Sequence, residues 1–360
     1  MRAAVCRSFG APLTIEDVSI RPPGRHEVLV RLAACAICHS DVAYIDGDWG
    51  GELPAVYGHE AAGVVEQVGA GADGLAPGDR VVVTLIRSCG ECARCRRGQP
   101  TLCEGRTGGE TVLTSARGEP IHQAMNVGAF AELVNVDASQ VVPVPRDLSL
   151  ESASLLACGV LTGVGAVLNT AGVEAGSIVA VLGTGGVGLN CVQGAALAGA
   201  DQIIAVDLVA SKLEVARVFG ATKLVDAATT DPEEAVREAT AGRGADYVFV
   251  AAGVPALVES GARMLARGGA VVIVGIPASG TSIRLDPVAI ADGSLRILGS
   301  KMGASRPHED IPKLAELYRS GRLKLDELIS ERFELDRVNE AIDSARRGEQ
   351  LRPVVVFAAG

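Results

Sequence analysis

The stretch from Ile178 to Gly199 restricts the fold more than any other part of the chain. Ile178-Val179-Ala180-Val181-Leu182 is a continuous apolar run of strand length. It leads directly into Gly183-Thr184-Gly185-Gly186-Val187-Gly188 and then an apolar helical stretch from Gly188 to Gly199. This is G-x-G-x-x-G set between a strand and a helix. Gly183 allows the tight turn, Gly185 lets the backbone approach a pyrophosphate, and Gly188 permits close helix–strand packing, with Gly186 and Val187 completing the loop. The helix start then offers free N–H groups and a positive dipole end to phosphates. Glycine-rich turns are common, so the motif alone is weak; here both flanks agree with it. A second strand, Gln202–Asp207, ends on a carboxylate about twenty residues after the glycines. A carboxylate there accepts hydrogen bonds from the adenosine ribose hydroxyls and repels a 2′-phosphate. NAD is therefore expected rather than NADP, the bland alternative being that Asp207 only caps the next helix. Lys212, on that helix, is either a second ribose contact or a solvated lysine.

The alternation continues: Ser211–Phe219 helical, Lys223–Val225 strand-like, Pro232–Ala241 helical, Asp246–Ala251 strand, Ala256–Leu265 helical, Ala270–Gly275 strand. Strands alternating with helices over this length predict a doubly wound parallel sheet. Val274 and Ile276, at the end of its last strand, are further candidates for cofactor contact. Residues 1–150 read differently. Val-rich runs at Glu27–Ala33, Ala62–Val68, Asp79–Val83, Glu132–Val136 and Gln140–Pro143 are punctuated by turns such as Pro22-Pro23-Gly24 and Pro77-Gly78-Asp79. That profile predicts a barrel-like β domain. From about Met302 the pattern turns irregular, ending in a helix near Leu335–Arg347 and a strand Pro353–Phe357. The expected division is 1–159, 160–301 and 302–360, with the last segment returning to the first domain.

Nine cysteines need an explanation. Cys89, Cys92, Cys95 and Cys103 have the spacing C-x2-C-x2-C-x7-C in the segment 85–105. Short loops wrap four such thiolates around Zn²⁺, and four protein ligands leave no open position, so this is expected to be a structural site. Free thiols and an iron–sulfur cluster are the alternatives. A second set is dispersed: Cys38, His59 and Cys158, from three separate loops, leaving a fourth position for water or an alkoxide. Taken singly, Cys158 also reads as a buried core thiol and His59 as a structural histidine.

The formal net charge of -10 argues against a nucleic-acid partner. No apolar run reaches membrane-span length, and Met1–Val18 has no signal-peptide core. A cytoplasmic protein with no membrane partner is expected.

The Gly58-His59-Glu60 element, the four-cysteine lobe, the Gly183–Gly188 loop and Leu351-Arg352-Pro353-Val354-Val355-Val356-Phe357 resemble the zinc-containing alcohol dehydrogenases of the medium-chain dehydrogenase/reductase superfamily, almost end to end. The resemblance implies an α/β chain made of a GroES-like β-rich catalytic domain and a Rossmann coenzyme domain. It also implies two Zn²⁺ per subunit and a homodimer, a tetramer being possible. Cys38, His59 and Cys158 would hold catalytic zinc; a Cys2His set is the ligand set known for alcohol dehydrogenases, so this match is a comparison. Asp41 would support these ligands, Glu60 would do so or join them, and His39 and Arg352 would contact the cofactor pyrophosphate.

The implied reaction interconverts an alcohol and its aldehyde or ketone. Zinc lowers the alcohol pKa, hydride passes to the nicotinamide, and Ser40 takes the alcohol proton. Ser40 otherwise reads as the cap of a helix beginning near Asp41. Many relatives carry a histidine three residues after this hydroxyl; here Ala43 stands there, leaving ribose and water, or Tyr44, as the proton exit. The stretch Glu104–Val127 and the Cys158–Gly163 segment resemble the longer-loop branch that contains glutathione-dependent formaldehyde dehydrogenases, which makes a thiol-dependent formaldehyde dehydrogenase the runner-up. Trp49 stands where those enzymes carry an acidic glutathione-binding residue. It either narrows the pocket towards a small or flat apolar alcohol or simply packs in the core. A zinc-free quinone or enoyl reductase lacks both cysteine sets, and a non-enzymatic zinc- and NAD-binding protein predicts binding without turnover.

Overall fold

A computed structural model describes residues 1–105, 111–348 and 350–358. The chain divides into two compact units: Met1–Gly159 with Arg306–Gly360, and Val160–Ser305. The resemblance to the longer-loop branch at Glu104–Val127 therefore falls partly outside the described residues, at 106–110.

In the first unit the strands are β1 (Arg2–Cys6), β2 (Thr14–Ile20), β3 (Glu27–Ala36), β4 (Ala55–Val56), β5 (Glu60–Val68), β6 (Arg80–Val83), β7 (Leu113–Ser115), β8 (Pro120–Gln123), β9 (Leu133–Asp137) and β10 (Val141–Pro143). The second unit contributes β11 (Ile178–Leu182), β12 (Gln202–Asp207), β13 (Lys223–Asp226), β14 (Ala245–Val250), β15 (Leu265–Ile273) and β16 (Arg296–Gly299), and the chain ends in β17 (Ile329–Glu334) and β18 (Arg352–Val356) of the first unit.

β1, β2, β7, β8 and β4 form a closed barrel; β10, β6, β5, β3, β18 and β17 form a sheet in that order, with β9 also paired to β3. Valines along these strands meet inside, where Val5, Val28, Val30, Val56, Val81 and Val134 are buried together with Tyr57 and Phe130 from adjoining loops. Closure removes strand edges that would otherwise pair with other chains. The C-terminal strand enters this sheet antiparallel to β3, Val354 opposite Ala36 and Val355 opposite Cys35. The Ile37 N–H bonds the Pro353 carbonyl at 2.9 Å, so the end of the chain lies directly beside Cys38.

The second unit is one parallel sheet in the order β13-β12-β11-β14-β15-β16. Numbered from its own first strand this is 3-2-1-4-5-6, the doubly wound order that binds ligands at the strands' carboxyl ends. The helix Gly186–Leu197 follows β11 without a gap wide enough for a side chain. A Cβ on Gly188 would lie 1.8 Å from the Gly183 carbonyl oxygen.

Three elements depart from the sequence pattern. Residues after Met302 read as irregular, yet Pro307–Arg319 is a helix with Pro307 in its first turn and Pro312 inside. Proline lacks the N–H that an interior helical position needs, so Pro312 hides the helix from pattern reading. β15 begins at Leu265 rather than Ala270; Arg267-Gly268-Gly269 interrupts its apolar run and hides its first residues from the pattern. β16 is mostly exposed at the sheet edge and carries little apolar signal. Among the described residues no single helix is long and apolar enough to cross a membrane.

Because Gly188 has no room for a methyl group, Gly188→Ala should force the helix off β11. Overpacking of this kind costs about 1–3 kcal/mol. Thermal unfolding should show a lowered midpoint; an unchanged midpoint would mean the helix shifts freely.

Candidate active site and metal centres

The dispersed set is assembled by three loops of the first unit. β3 delivers Cys38 as the N-cap of the helix His39–Asp46. The turn between β4 and β5 carries His59, Glu60 opens β5, and Cys158 ends the helical turns after Leu150. One donor atom from each of Cys38, His59, Glu60 and Cys158 falls within 4.8 Å of the others, and all four residues are buried. Glu60, placed by the sequence either in a supporting role or as a ligand, belongs to this donor set.

Asp41 organises the set. One carboxylate oxygen accepts the Cys38 N–H at 3.0 Å; the other accepts the Gly58 N–H at 3.0 Å and pairs with His59 Nδ1 at 3.0 Å. With Nδ1 engaged, His59 Nε2 is left buried without any hydrogen-bond partner. A buried, unsatisfied ring nitrogen costs on the order of 1–3 kcal/mol unless something answers it. A metal ion does so, and carboxylate–histidine–metal chains commonly have this geometry. Gly58 has a φ of +92°, and a Cβ there would lie 2.7 Å from the Phe130 backbone nitrogen, so the loop that aims His59 requires glycine.

The electrostatics agree. A hydrogen bond from Cys158 holds the Cys38 thiol well below the ordinary thiol range, and the Arg352 charge assists against burial. Cys158 is correspondingly pushed well up, first by Cys38 and then by burial. Burial opposes a charged His59, yet the charge and hydrogen bond of Asp41, with Cys38, draw it well upward. Burial raises Glu60 to about 8 against the pull of Arg352.

Cys89, Cys92, Cys95 and Cys103 also place their sulfur atoms within 4.8 Å of one another. Their loops point N–H groups at sulfur: Cys89 N to Cys103 Sγ at 3.3 Å, Cys92 N to Cys89 Sγ at 3.4 Å, Cys95 N to Cys92 Sγ at 3.4 Å, Glu104 N to Cys92 Sγ at 3.5 Å and Gly105 N to Cys103 Sγ at 3.3 Å. Such donors favour thiolates; the Cys95 and Glu104 N–H groups bring Cys92 down to about 6. A Cβ on Gly105 would meet Cys89 Sγ at 2.6 Å, a closeness the spacing rule does not reveal.

The remaining candidates lie as follows. Ser40 sits inside the first turn, half-buried, its Oγ 3.7 Å from Cys38 Sγ. It does not cap a helix starting near Asp41, because the helix begins at His39 with Cys38 at the cap. His39 is exposed and Ala43 is buried, with Tyr44 half-buried next to it. Trp49 packs edge-on against Tyr44 with centroids 5.0 Å apart, and Tyr44 stacks on Tyr57 at 6.0 Å. Arg352 is buried, its Nη1 3.1 Å from both Glu60 Oε1 and the Ile37 carbonyl oxygen. Sequence reasoning placed it at a pyrophosphate and did not see this contact, since residues about three hundred positions apart in sequence give no local signal.

In the second unit Gly183 has a φ of +90°, and the volume a Gly185 Cβ would take is open. Gly186, Val187 and Gly188 form the first turn of a helix with no side-chain cap, leaving its N–H groups available. Asp207 ends β12 and accepts bonds from the Thr184 N–H at 2.7 Å, the Thr184 hydroxyl at 3.0 Å and the Val209 N–H at 3.0 Å. Lys212 is half-buried in the next helix; Val274 is buried just beyond β15 and Ile276 is exposed.

Residues 24–146 match the alcohol dehydrogenase GroES-like domain family and residues 186–320 the zinc-binding dehydrogenase family. The NDMA-dependent alcohol dehydrogenase of Amycolatopsis methanolica is 38% identical over 99% of both chains. This chain belongs to the zinc-containing alcohol dehydrogenases. The alcohol dehydrogenase class-3 of Caenorhabditis elegans is 36% identical over 99% of this chain and 96% of its own. Among solved structures, an alcohol dehydrogenase zinc-binding domain protein from Burkholderia ambifaria is 38% identical with a TM-score of 0.95, and the benzyl alcohol dehydrogenase of Acinetobacter calcoaceticus is 32% identical with a TM-score of 0.94. Each covers 99% of both chains. A dehydrogenase of this family interconverts alcohols with aldehydes or ketones, which is the activity expected from the sequence.

The two donor sets should behave differently on removal of one thiolate. Metal analysis of Cys38→Ser should find one zinc fewer with a near-normal unfolding temperature and no turnover. Cys92→Ser should lose its zinc and also destabilise the lobe, since a structural ion contributes folding energy directly.

Proposed function

We propose that this dehydrogenase binds two zinc ions per chain and transfers hydride to NAD from a small or flat apolar alcohol. The observation that carries this is the convergence of Cys38, His59, Glu60 and Cys158 around an unpartnered His59 Nε2. When bound, zinc supplies Lewis acidity that lowers the alcohol pKa, and NAD supplies the hydride acceptor. The chain's own residues do the rest. Asp41 fixes the His59 tautomer and the Cys38 loop, and the two thiols offer anionic donors. Ser40 accepts the alcohol proton at its Oγ, which its position beside Cys38 favours. With Ala43 where many relatives carry a histidine, that proton would leave Ser40 through water or Tyr44.

Gly183–Gly188 would cradle the pyrophosphate. Asp207, held from Thr184 and Val209, would use its remaining lone pairs on the adenosine ribose. Lys212, Val274 and Ile276 border the same C-terminal side of the sheet. Trp49, edge-on against Tyr44, would give the substrate an aromatic contact, and the similarity to a benzyl alcohol dehydrogenase supports that choice. A thiol-adduct substrate is the second reading, supported by a 36% identical Schizosaccharomyces pombe relative named a probable S-(hydroxymethyl)glutathione dehydrogenase and opposed by the indole at Trp49. The chain would form a homodimer: β16 is an edge strand, and Ile297 on it is exposed. Light scattering should return twice the chain mass.

A panel of primary, secondary and aromatic alcohols, followed by NADH absorbance, tests the function. NDMA belongs in the panel as an alternative acceptor, given the name of the Amycolatopsis relative. Zinc-replete protein inert with every alcohol and both acceptors would overturn it.

Two substitutions test the assigned roles. Asp207→Gly should weaken NAD binding and relax discrimination against NADP; wild-type protein using both equally would remove the role given to Asp207. Ser40→Ala should keep zinc and NAD and slow single-turnover hydride transfer by roughly 10²–10⁴. Ser40→Thr should be tolerated. Superimposable pH profiles for wild type and Ser40→Ala would make Tyr44 or water the acceptor instead.

A further inference from the structure

Gly159 follows Cys158, and its backbone gives no reason for glycine, since its φ lies outside the left-handed region. Space does. A Cβ at Gly159 would lie 2.2 Å from Arg352 Nη2, 2.9 Å from Cζ and 3.1 Å from Nε. Three atoms of the guanidinium occupy the volume that any other side chain would need. An arginine tip ordinarily swings away from such a clash at little cost, but this one is 4% exposed. It is also tied at Nη1 to the Ile37 carbonyl and to Glu60, each at 3.1 Å. The main chain that carries it is bound in β18 beside β3. Moving the guanidinium would abandon a buried carboxylate.

We infer that Gly159 is a positioning residue: it makes room for Arg352 to sit under the donor set as a fixed positive charge that holds the Glu60 carboxylate in place. The inference rests on the reading of Cys38, His59, Glu60 and Cys158 as a metal site. Two thiolates and one carboxylate around a divalent ion leave one excess negative charge in a fully buried place. One permanently charged guanidinium cancels it, and arginine keeps its charge under any burial found in proteins. Neither Glu60 oxygen has a hydrogen bond, so the ion pair to Arg352 is the polar contact that orients that side chain. Cys158, the residue next to Gly159, is itself in the donor set, so a shift at Gly159 reaches the metal through two routes, the guanidinium and the thiol.

A double-mutant cycle on the intact protein separates the routes. The variants are Gly159→Ala, Arg352→Lys and the pair together. Readouts are zinc content, competitive zinc affinity, and the visible d–d spectrum after cobalt replaces the second zinc. Gly159→Ala alone should lower affinity at that site by roughly tenfold or more, as supporting residues of metal sites commonly do. It should also shift the cobalt bands, while the four-cysteine site keeps its ion. A lysine ammonium lacks the Nη2 atom that the new methyl group meets. In the Arg352→Lys background the alanine should therefore cost little, and the pair should resemble Arg352→Lys alone. An equal alanine penalty in both backgrounds would overturn the inference, assigning the effect to Cys158 or to backbone packing. Unchanged metal affinity and cobalt bands in Gly159→Ala would overturn it as well. If Gly159→Ala does not fold, Arg352→Met with Gly159 intact replaces it; retention of full zinc and wild-type cobalt bands there would refute the charge role. Wild-type protein that binds one zinc only would sink the metal-site reading itself, a result distinct from all of these.

Discussion

The arrangement of the first unit's site depends on the three bonds made by the Asp41 carboxylate. A buried carboxylate is tolerated only when its oxygens are satisfied, and here two backbone N–H groups and an imidazole satisfy them. The same bonds fix the start of the helix that presents Ser40, the turn at Gly58 and the tautomer of His59. Remove the carboxylate and the helix start at Cys38 and the Gly58–His59 turn lose their common anchor. The orphaned His59 Nε2 follows from this as well, because the ring cannot turn to satisfy one nitrogen without losing the other.

Around that anchor the chain collects negative charge where water does not reach. Cys38, Cys158, Glu60 and Asp41 are all buried. Burying such groups without compensation is expensive, so positive charge placed among them lowers the cost. Arg352 provides one such charge permanently, and a divalent ion would offset two more. This accounts for the path of the C-terminus. The return of the chain as β18, pinned by the Ile37 N–H, brings a guanidinium across about three hundred residues of sequence to the one place that needs it.

The four-cysteine lobe solves the problem with different means. Its sulfurs are partly exposed, and backbone N–H groups rather than buried countercharges favour the thiolate form. A site of this kind can be written in a short stretch of sequence, because loop spacing alone brings the ligands together. The dispersed site cannot, since its donors need β3, the turn before β5 and the segment after Leu150 to be folded against each other first.

That contrast divides what was legible. The sequence by itself determined the doubly wound second unit, because strand–glycine-loop–helix order and apolar run lengths are local properties. It likewise determined the four-cysteine lobe and the donor residue types, since thiolate and imidazole chemistry does not depend on context. Barrel closure, the helix Pro307–Arg319 across Pro312, and the edge strand β16 were decided by tertiary structure, where packing overrides weak or contradictory local signals. So were the contact of Arg352 with Glu60 and the space at Gly159. A steric fit between residues so far apart has no trace in composition, period or spacing, because it exists only after distant strands have paired.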